Sequence, residues 1–416
     1  MTLFSRYGLG SGYNGAYFVP ALSRLSTSVV AESSESPKDI YGGLFPTVLS
    51  SIERPEVGAH NPEINDLRCI GSYNWVDNIN PTIIAPGSPP IWKQKSMPFQ
   101  VIHDQLNSRI NQDGHRLPSC DLLPLFKAVD VAKEDDPSLD IDWKSVDFVT
   151  NRNGLRKLLR WIDGRGDSRR QRPFRLDLEL AGERTVLLNR WEENRLAPPG
   201  MGYGFGFEKE TTVPAPGCEN STGHHRIVQY DFGGLNMIVR FEVDACIEVL
   251  PQATPQGRST SNNMARKLND SPSSLHSSSG VDVEVIRAGQ LVPQSSIVEL
   301  ATRSERGANY FDWTESYPQL WLSQTPHHFL AVHYKGLFHR LETRTLDDDE
   351  MKYVHAEFEG TFKKLRALLE TIQEIVVKHG KGSCLSLVCK DGILAVHERE
   401  SRDGCLPDEV MNRFHL

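Results

Sequence analysis

The alternation of hydrophobic and polar positions predicts several pairs of β-strands along the chain. The segment FRLDLELAG (174–182) alternates apolar and polar side chains, and TVLLNRW (185–191) follows it after a short turn. A period of two residues is typical of strands with one buried face, so these two segments predict a β-hairpin. The same reasoning predicts strand pairs in three other segments: 226–250 with its turn near Gly233-Gly234, 281–302, and 383–398 with its turn at Lys390-Asp391-Gly392.

Helical periodicity is strongest in one long segment, 348–380. Its apolar residues recur every three or four positions, acidic residues stand at its start, and Lys378, His379 and Gly380 close it. This pattern predicts an amphipathic helix that packs on a sheet. A second helix is predicted at 154–162. Because strand pairs outnumber helices, the predicted fold class is α+β, with mixed, largely antiparallel central sheets flanked by helices.

Segments rich in Gly, Pro and Ser set the predicted domain limits. Residues 1–60 have this composition and are expected to be a poorly ordered N-terminal segment. The Ser-rich stretch at about 251–280 predicts a disordered insertion between two strand regions. The prolines of 79–93 predict an extended loop. The remaining pattern predicts one domain over 61–416.

The charge and cysteine content exclude several classes of protein. The 416-residue chain carries a formal net charge of −8, so any nucleic-acid site must be a local basic patch. Its seven cysteines form no CxxC pair, which argues against a zinc ribbon and favours a reducing compartment. No apolar run approaches the roughly 20 residues of a membrane span. Residues 1–31 lack acids, which fits a mitochondrial transit peptide or a disordered N-terminus; we otherwise expect a nuclear or cytoplasmic location.

Three charged residues share one face of a predicted strand, IVRFEVDACI (238–247). Arg240, Glu242 and Asp244 alternate with apolar or small residues, which fall on the other face. Two neighbouring carboxylates raise each other's pKa unless a cation lies between them. The pair fits either a solvent-facing strand with a cross-strand salt bridge or a divalent metal site, because Mg²⁺ and Mn²⁺ prefer carboxylate oxygens.

Glu299 strengthens the metal interpretation. It interrupts the apolar run IVELATR (297–303), where a lone buried carboxylate is costly without a partner or a metal. If this strand lies beside 238–247, three carboxylates can converge on one ion. A fourth candidate lies in the glycine-rich segment GFGFE (204–208). The predicted metal ligands are Glu208, Glu242, Asp244 and Glu299, with Mg²⁺ or Mn²⁺ as the cofactor.

The order of these motifs resembles the decapping exoribonuclease (DXO) family, whose core is related to PD-(D/E)XK nucleases. That family carries, in order, an arginine motif, a Gly-aromatic-x-aromatic-Glu motif, an acid-Φ-acid motif, a Glu-Φ-Lys motif and a later glutamine. The counterparts here are Arg152 in DFVTNRNGL, Glu208 in GFGFE, Glu242 and Asp244 in EVD, Glu299 in ELA, and Gln319 in YPQLWLSQTP. The resemblance covers about 65–400 and is firm over roughly 147–330.

The resemblance implies a metal-dependent hydrolase that acts on RNA 5′ ends. Members of the family remove pyrophosphate from 5′-triphosphate RNA, remove incomplete or NAD caps, and in some cases degrade RNA from 5′ to 3′. The resemblance further implies a PD-(D/E)XK-like active-site core within 61–416 and a protein partner such as an exoribonuclease. The implied catalytic residues are Glu208, Glu242, Asp244, Glu299 and Gln319, and the candidate phosphate-binding residues are Arg152, Arg156, Arg240 and Arg303.

A local excess of basic residues fits an RNA-binding role. Nine Lys and Arg residues fall between Arg152 and Arg175, opposed only by Asp163 and Asp167. Such an excess can follow a phosphate backbone. The alternative is a solvated loop around GRGDSRRQR (164–172).

One position departs from the family pattern. Where the Glu-Φ-Lys motif has lysine, this chain has Ala301, which by strand parity shares a face with Glu299. Arg303 or Arg240 can replace the missing cation, although neither is a good proton donor. Otherwise the protein is a slow or specialised enzyme, or a catalytically impaired RNA 5′-end-binding or scaffolding member of the family.

Overall fold

A computed structural model describes most of the chain. It covers residues 37–59, 62–104, 108–164, 172–194, 196–197, 202–248 and 282–415. The predicted insertion at 251–280 and the first 36 residues of the predicted N-terminal segment lie outside the described residues. Within the described part, no helix is long and apolar enough to cross a membrane.

The described residues form twenty strands and eight α-helices. The strands are β1 Leu44–Ile52, β2 Ile64–Val76, β3 Thr82–Gly87, β4 Ile91–Trp92, β5 Phe99–Gln100, β6 Ser108–Arg109, β7 Phe148–Asn151, β8 Phe174–Ala181, β9 Thr185–Trp191, β10 Leu196–Ala197, β11 Thr212–Val213, β12 Ser221–Phe232, β13 Leu235–Val243, β14 Ala245–Cys246, β15 Glu284–Gly289, β16 Ile297–Ser304, β17 His327–Tyr334, β18 Leu337–Thr345, β19 Cys384–Lys390 and β20 Ile393–Arg399. The helices are α1 Gln112–Arg116, α2 Leu123–Asp135, α3 Arg152–Asp163, α4 Gly204–Thr211, α5 Glu305–Ala308, α6 Trp313–Ser323, α7 Asp349–His379 and α8 Asp408–Met411.

Two large sheets organise most of these elements, and within the described residues β6 and β10 pair in a separate two-stranded sheet. The larger sheet runs β1-β20-β19-β8-β9-β7-β13-β12-β2-β3-β15, and the smaller runs β11-β4-β14-β16-β17-β18-β5. Most neighbours are antiparallel, and β7 pairs in parallel with both β9 and β13. Between β13 in the larger sheet and β14 in the smaller sheet lies a single residue, Asp244. The fold is therefore α+β with mixed, largely antiparallel sheets flanked by helices, as predicted.

Helices cover both faces of the larger sheet. The apolar stripe of α7, from Met351 to Val376, packs with α3 on one face, where both helices join the same apolar cluster as β8, β12 and β13. Helix α2 packs on the other face against β2. Helix α3 ends at Gly164, whose φ of 57° is a left-handed conformation that glycine adopts without strain. This packing fixes the start of α3, where Arg152 lies, against the end of β13.

Several predicted elements are confirmed. The hairpins β8–β9, β12–β13 and β19–β20 form as expected, with positive φ at Gly233 and Gly234 in the second turn. The long helix and the helix that starts near 154 are also present.

Two predictions of local structure are wrong. The segment 281–302 does not form a strand pair, because β15 pairs with β3 in the larger sheet and β16 pairs with β14 and β17 in the smaller. The proline-rich segment 79–93 contains the interior strand β3. The hydrogen-bond ladder between β3 and β2 ends at Ile84. Pro86 lies beyond that end, so its missing N–H removes no hydrogen bond from this ladder.

Part of the predicted N-terminal segment is ordered. Residues Leu44–Ile52 form β1, which pairs antiparallel with β20 at the edge of the larger sheet. Poor order is therefore not a property of the whole of 1–60. The predicted single domain over 61–416 stays a prediction.

Candidate active site between the two sheets

Glu242 and Asp244 lie where β13 leaves the larger sheet. Glu242 is exposed, and its Oε1 lies 3.4 Å from the Nε2 of Gln112 on α1. Gly223, on the neighbouring strand β12, leaves room for this contact. A Cβ at that position would lie 2.4 Å from the Gln112 amide nitrogen and 3.0 Å from Glu242 Oε1. The Oδ2 of Asp244 accepts a hydrogen bond of 2.8 Å from the backbone N–H of Leu300. Asp244 is thereby held beside β16.

Glu299 reaches the same place from β16, as the sequence predicted. Strands β14 and β16 pair antiparallel, with Ala245 opposite Val298, so Asp244 and Glu299 are neighbours across this ladder. The Glu299 side chain is 15% exposed. The strand that carries Glu299 therefore brings a third carboxylate to the end of β13.

Glu208 comes from the short helix α4, which packs against β16. Phe207 is fully buried in a cluster with Phe99 and Phe338. Gly206 allows the helix to approach residue 101, because a Cβ would meet Val101 Cγ1 at 2.4 Å. The alternating glycines and aromatic residues of GFGFE thus anchor the turn that carries Glu208.

These carboxylates raise one another's pKa. Burial raises the pKa of Glu208 to about 8, and the nearby Glu242, Glu299 and Asp104 add to the effect. Burial also raises the pKa of Asp244 well above its usual value, with Glu299 and Glu208 contributing. The pKa of Glu299 is raised by burial although Arg152 and Arg156 lower it. The free site therefore disfavours the ionised form of these three carboxylates, which a bound cation would favour.

Arg152 is the cation that contacts this cluster. It is 8% exposed, and its Nη1 lies 3.4 Å from Glu299 Oε2 and 3.1 Å from Ser323 Oγ. Its Nη2 lies 3.5 Å from the carbonyl oxygen of Glu242. Gln319, on α6, donates its amide to Glu299 Oε1. The structure thus brings together Arg152, Gln319 and all four predicted carboxylates.

The other predicted phosphate-binding arginines have different surroundings. Arg156 lies near Glu299 but pairs with Glu315 of α6 at 3.1 Å. Arg303 is exposed, donates to the Thr302 carbonyl at 2.8 Å and lies over the Phe311 ring at 5.2 Å. Both arginines therefore have partners within the chain.

Arg240 does not support its predicted phosphate-binding role. It shares the strand face of Glu242, as parity predicted, but it is 1% exposed. Its guanidinium donates to Asn151 Oδ1 at 2.7 Å, to the Asp121 carbonyl at 2.6 Å and to Tyr73 Oη at 3.2 Å. These contacts hold Arg240 inside the protein, so it cannot reach a substrate phosphate or replace the missing lysine.

The predicted basic patch does not form one surface. Lys157 is buried and donates to Glu192 at 2.8 Å, and Arg175 is buried and pairs with Asp177 at 2.6 Å. Arg165, Arg169 and Arg170 lie outside the described residues. The interior ion pairs remove two of the nine cations from any RNA path.

The donor set fits a hard divalent cation in chemistry, although its side chains are not assembled around one. Carboxylate oxygens are the ligands that such ions prefer, and a cation would relieve the mutual repulsion that raises these pKa values. Within the described residues, however, no three His, Cys, Asp or Glu side chains are in position to hold a metal ion. Glu299 is held by Arg152 and Gln319 and would have to turn to become a ligand.

Two residues at the site were not predicted from the sequence. Asp104 accepts a hydrogen bond of 3.0 Å from the Gly206 N–H and adds to the negative charge near Glu208. Gln112 contacts Glu242. Both lie in the segment VIHDQLNSRINQDG, whose scattered polar residues carry no pattern that marks a site.

The fold is shared with solved structures of Rai1. The Rai1 of Scheffersomyces stipitis, in complex with (3′-NADP)⁺ and a calcium ion, matches with a TM-score of 0.58 and 12% identity, over 88% of this chain and 100% of that chain. Candida albicans Rai1, in complex with pU5-Mn²⁺, matches with a TM-score of 0.57 and 12% identity, over 88% and 98%. A mutant S. pombe Rai1, in complex with 3′-FADP, matches with a TM-score of 0.54 and 14% identity, over 82% and 95%.

These neighbours are members of the decapping exoribonuclease family, so the predicted resemblance is confirmed at the level of the fold. No curated protein matches the chain by sequence. A sequence family described as "Domain of unknown function (DUF8563)" matches residues 59–415, which is most of the chain. The protein is therefore a member of the DUF8563 family, and it has the fold of Rai1.

Proposed function

We propose that the protein is a metal-dependent hydrolase of RNA 5′ ends, which removes 5′ pyrophosphate or incomplete and NAD caps. The observation that carries the proposal is the cluster of Glu208, Glu242, Asp244 and Glu299, in which burial and mutual repulsion raise the pKa of three members. A bound cation favours the ionised form of such carboxylates, so clustered carboxylates with raised pKa values mark a candidate cation site. The Rai1 structures support the substrate class, because one contains pU5 with Mn²⁺ and another contains 3′-FADP.

The four carboxylates would hold Mg²⁺ or Mn²⁺ in this proposal. A bound divalent ion supplies an activated water and neutralises phosphate oxygens. Glu242, which is exposed at the mouth of the site, is the carboxylate most accessible to an incoming ion. Asp244 keeps its orientation through the Leu300 N–H. When Glu299 turns toward the ion, it releases the hydrogen bonds that it now accepts from Arg152 and Gln319.

Arg152 and Gln319 would then act on the substrate. The Arg152 guanidinium keeps its contact with Ser323 Oγ at 3.1 Å, which holds it at the cleft, and its freed N–H groups can donate to a phosphate oxygen. The Gln319 amide can orient the attacking water or a phosphate oxygen. Arg156 now pairs with Glu315 at 3.1 Å. It would add positive charge beside the substrate if its guanidinium contacted Glu315 and a phosphate oxygen together.

The full-length protein should release product from RNA with a 5′-triphosphate, an NAD cap or an unmethylated cap when Mg²⁺ or Mn²⁺ is present. Product release is measured by chromatography, and metal-free reactions are the control. Folding is checked by circular dichroism. Folded protein that leaves all three RNAs intact with either ion would overturn the proposal.

A second candidate function rests on Ala301. The position shares a strand face with Glu299 and carries a methyl group where a cation is expected. Arg240 is buried and donates to the Asp121 carbonyl. Arg303 donates to the Thr302 carbonyl and lies over the Phe311 ring. Among the described residues, Arg152 and Arg156 are the cations near Glu299, and no other replaces the missing lysine. We therefore propose, as an alternative, that the protein binds RNA 5′ ends or acts as a scaffold and has impaired hydrolysis.

Substitution Ala301→Lys separates the two candidates. A lysine there places an ammonium beside the scissile phosphate, and a charge-assisted contact of this kind contributes about 1.5–3 kcal/mol, so turnover should rise at least about tenfold if Ala301 is the defect. Ala301→Met is the matched control, because it adds similar length without charge. Equal and substantial turnover in the parent and in Ala301→Lys would reject the impaired-hydrolysis alternative.

A further inference from the structure

Phe205 is a large apolar side chain that is exposed to solvent at the start of α4, the helix that carries Glu208. Its exposed fraction is 57%, whereas Phe207, two positions later, is fully buried. Because an α-helix has about 3.6 residues per turn, positions 205 and 207 lie on opposite sides of α4, and positions 205 and 208 lie on one side. Phe205 therefore shares a side of α4 with Glu208 and not with Phe207.

The side chains of Phe205 and Glu208 are neighbours on that side. Residues three positions apart on a helix have Cβ atoms about 5–6 Å from each other. Side chains on a helix also lean toward its N-terminus, so the Glu208 side chain lies over the turn that contains Phe205. The Glu208 carboxylate is close enough to Glu242 and Glu299 for their charges to raise its pKa. Phe205 thus lies within one helical turn of a member of the carboxylate cluster.

The backbone that presents Phe205 is held in place from two directions. Asp104 accepts hydrogen bonds from the N–H groups of Phe205 at 3.4 Å and of Gly206 at 3.0 Å. On the buried side of α4, the ring of Phe207 stacks on that of Phe99, with the ring centroids 6.1 Å apart. A ligand that contacts the Phe205 ring therefore does not have to order the helix first, which favours binding.

The Phe205 ring has no aromatic or cationic partner among the described residues. Phe311, an aromatic residue of the segment after β16, differs in this respect, because Arg303 lies over its ring at 5.2 Å. A second apolar side chain, that of Ile102, is 77% exposed, and the Ile102 carbonyl oxygen lies against α4. Exposed apolar side chains on two adjoining segments beside a polar cleft are typical of a ligand-binding surface.

A nucleobase is the ligand that fits this surface and its distance from the carboxylates. Bases of single-stranded RNA stack on exposed aromatic side chains. Under the proposed function, the 5′ phosphate of the RNA lies at the carboxylate cluster. The base of the first nucleotide is attached to the same nucleotide as that phosphate, so it is the base within reach of a side chain one helical turn from Glu208.

We propose that Phe205 is the stacking platform for the base of the first nucleotide of the RNA. This inference rests on the proposed function, because it takes the 5′ phosphate to lie at the carboxylate cluster. Stacking on a phenyl ring needs no hydrogen bond to the edge of a base, so the contact accepts each of the four bases. Phe205 thereby adds affinity and positions the 5′ end without selecting a sequence.

The test uses the full-length protein and a short RNA with a 5′-monophosphate, which carries no cap or pyrophosphate to remove. The fluorescent base 2-aminopurine, whose emission is quenched by stacking, replaces the base at position 1, 2 or 3. Ca²⁺, which carboxylates also bind, is present to hold the 5′ phosphate. The affinity is measured by fluorescence anisotropy of a 3′ label, and stacking by the emission of 2-aminopurine relative to the free RNA.

The parent protein should quench 2-aminopurine at position 1 more strongly than at positions 2 and 3. Phe205→Ala should abolish this difference and weaken RNA binding by at least about fivefold, because one stacking contact is lost. Phe205→Trp keeps an aromatic surface and should retain both properties. Circular dichroism checks that the variants are folded, which the exposure of Phe205 favours.

Phe45→Ala is the matched control. Phe45 is also an exposed phenylalanine, at 44%, and it lies on β1 at the edge of the larger sheet. The variant should bind the RNA and quench 2-aminopurine like the parent. An equal loss of binding in Phe45→Ala and Phe205→Ala would mean that the loss is not specific to Phe205.

Four further outcomes overturn the inference. If Phe205→Ala binds and quenches like the parent, Phe205 does not contact the base, and the proposed function is unaffected. If Phe205→Trp loses affinity as Phe205→Ala does, the contact is not stacking. If Phe205→Ala removes quenching at position 2 or 3 instead, the platform serves another nucleotide. If the parent does not bind this RNA, the inference is wrong whatever the result of the hydrolysis assay, which tests the proposed function separately.

Discussion

Two groups of charges lie on the same face of β13, only two residues apart, and they differ in how their charge is balanced. Around Arg240, the carboxylate of Asp113 has a lowered pKa: burial raises it, but Arg240, His225 and hydrogen bonds from Tyr73 and Trp75 together outweigh burial. At the end of β13, burial and neighbouring carboxylates raise the pKa values of Asp244 and Glu208 instead.

The difference separates a structural ion network from a candidate site. The network around Arg240 holds its cation and its carboxylates as ion pairs within the chain, so it contributes to the fold, although burial still raises the pKa of Asp121 to about 6. A group with excess charge of one sign is unfavourable in the free protein and becomes favourable when a counter-charge binds. The sequence motif alone, with Arg240, Glu242 and Asp244 in alternation, does not reveal where one group ends and the other begins.

The largest expected effect is on the network around Arg240. Arg240→Ala leaves Asp113 and Asp121 as buried carboxylates without their common partner, and it should lower the free energy of unfolding by about 3–5 kcal/mol. Urea denaturation followed by circular dichroism measures the change.

Arg303→Ala is the matched control for that measurement. Arg303 is exposed, so its removal should change the free energy of unfolding by less than about 1 kcal/mol. Equal, small effects of the two substitutions would mean that Arg240 is not central to a structural network.

The next effect concerns function at the open group. Asp244→Asn removes one carboxylate charge but keeps an oxygen for the Leu300 N–H, so the protein should stay folded. Under the proposed function, RNA 5′-end hydrolysis should fall by about 100-fold or more, because one of the carboxylates proposed to hold the metal ion is lost.

Calorimetric titration with Mn²⁺ gives a readout that does not depend on turnover, and Asp244→Asn should weaken Mn²⁺ binding. Glu359→Gln, which alters an acid on α7 paired with Lys363, is the matched control and should bind Mn²⁺ like the parent. Unchanged Mn²⁺ affinity in Asp244→Asn would remove Asp244 from the ligand set.

The smallest effect is a pH dependence with opposite sign at Glu208 and at Asp113. The pKa of Glu208 in the folded protein is about 8, above its usual value of 4.5. The folded state therefore holds this proton more tightly than the unfolded state, and stability falls as pH rises from about 4.5 to 8. Asp113, with its lowered pKa, contributes stability that is lost as pH falls.

Glu208→Gln should remove the first dependence. In metal-free buffer, its free energy of unfolding relative to the parent should increase between pH 5 and pH 8, because the parent loses stability over that range and the variant does not. Thermal and urea denaturation at several pH values measure this difference. A difference between variant and parent that stays constant with pH would contradict the raised pKa.

The sequence predicts strands and helices best where one face of the element is buried and the other is exposed. The hairpin of β8 and β9 and the helix α7 follow from their periods of two and of three to four residues. Strand β3 was missed because its prolines favour a loop, and only the tertiary structure shows that its ladder with β2 stops at Ile84. The 281–302 pair failed because sequence proximity does not determine that β15 and β16 join different sheets.

The candidate site was predicted in part. The unusual acids in apolar strands marked Glu242, Asp244 and Glu299, because an unbalanced buried carboxylate is costly and stands out. Arg240 was misassigned because strand parity gives the face of a side chain but not its depth along that face. Asp104, in a loop, and Gln112, the first residue of α1, were missed because they reach the site only through the fold.

The sequence by itself determined three hairpins, the long helix α7 and the acids that interrupt apolar strands, since these depend on periodicity and on the cost of burying charge. Only the tertiary structure decided which sheet each strand joins, that Asp244 is the single residue between β13 and β14, and that Arg152 contacts Glu299 while Arg240 is enclosed by Asp113, Asp121 and Tyr73. The reason is that local patterns fix which way a side chain points, whereas its charge partners come from segments distant in the sequence.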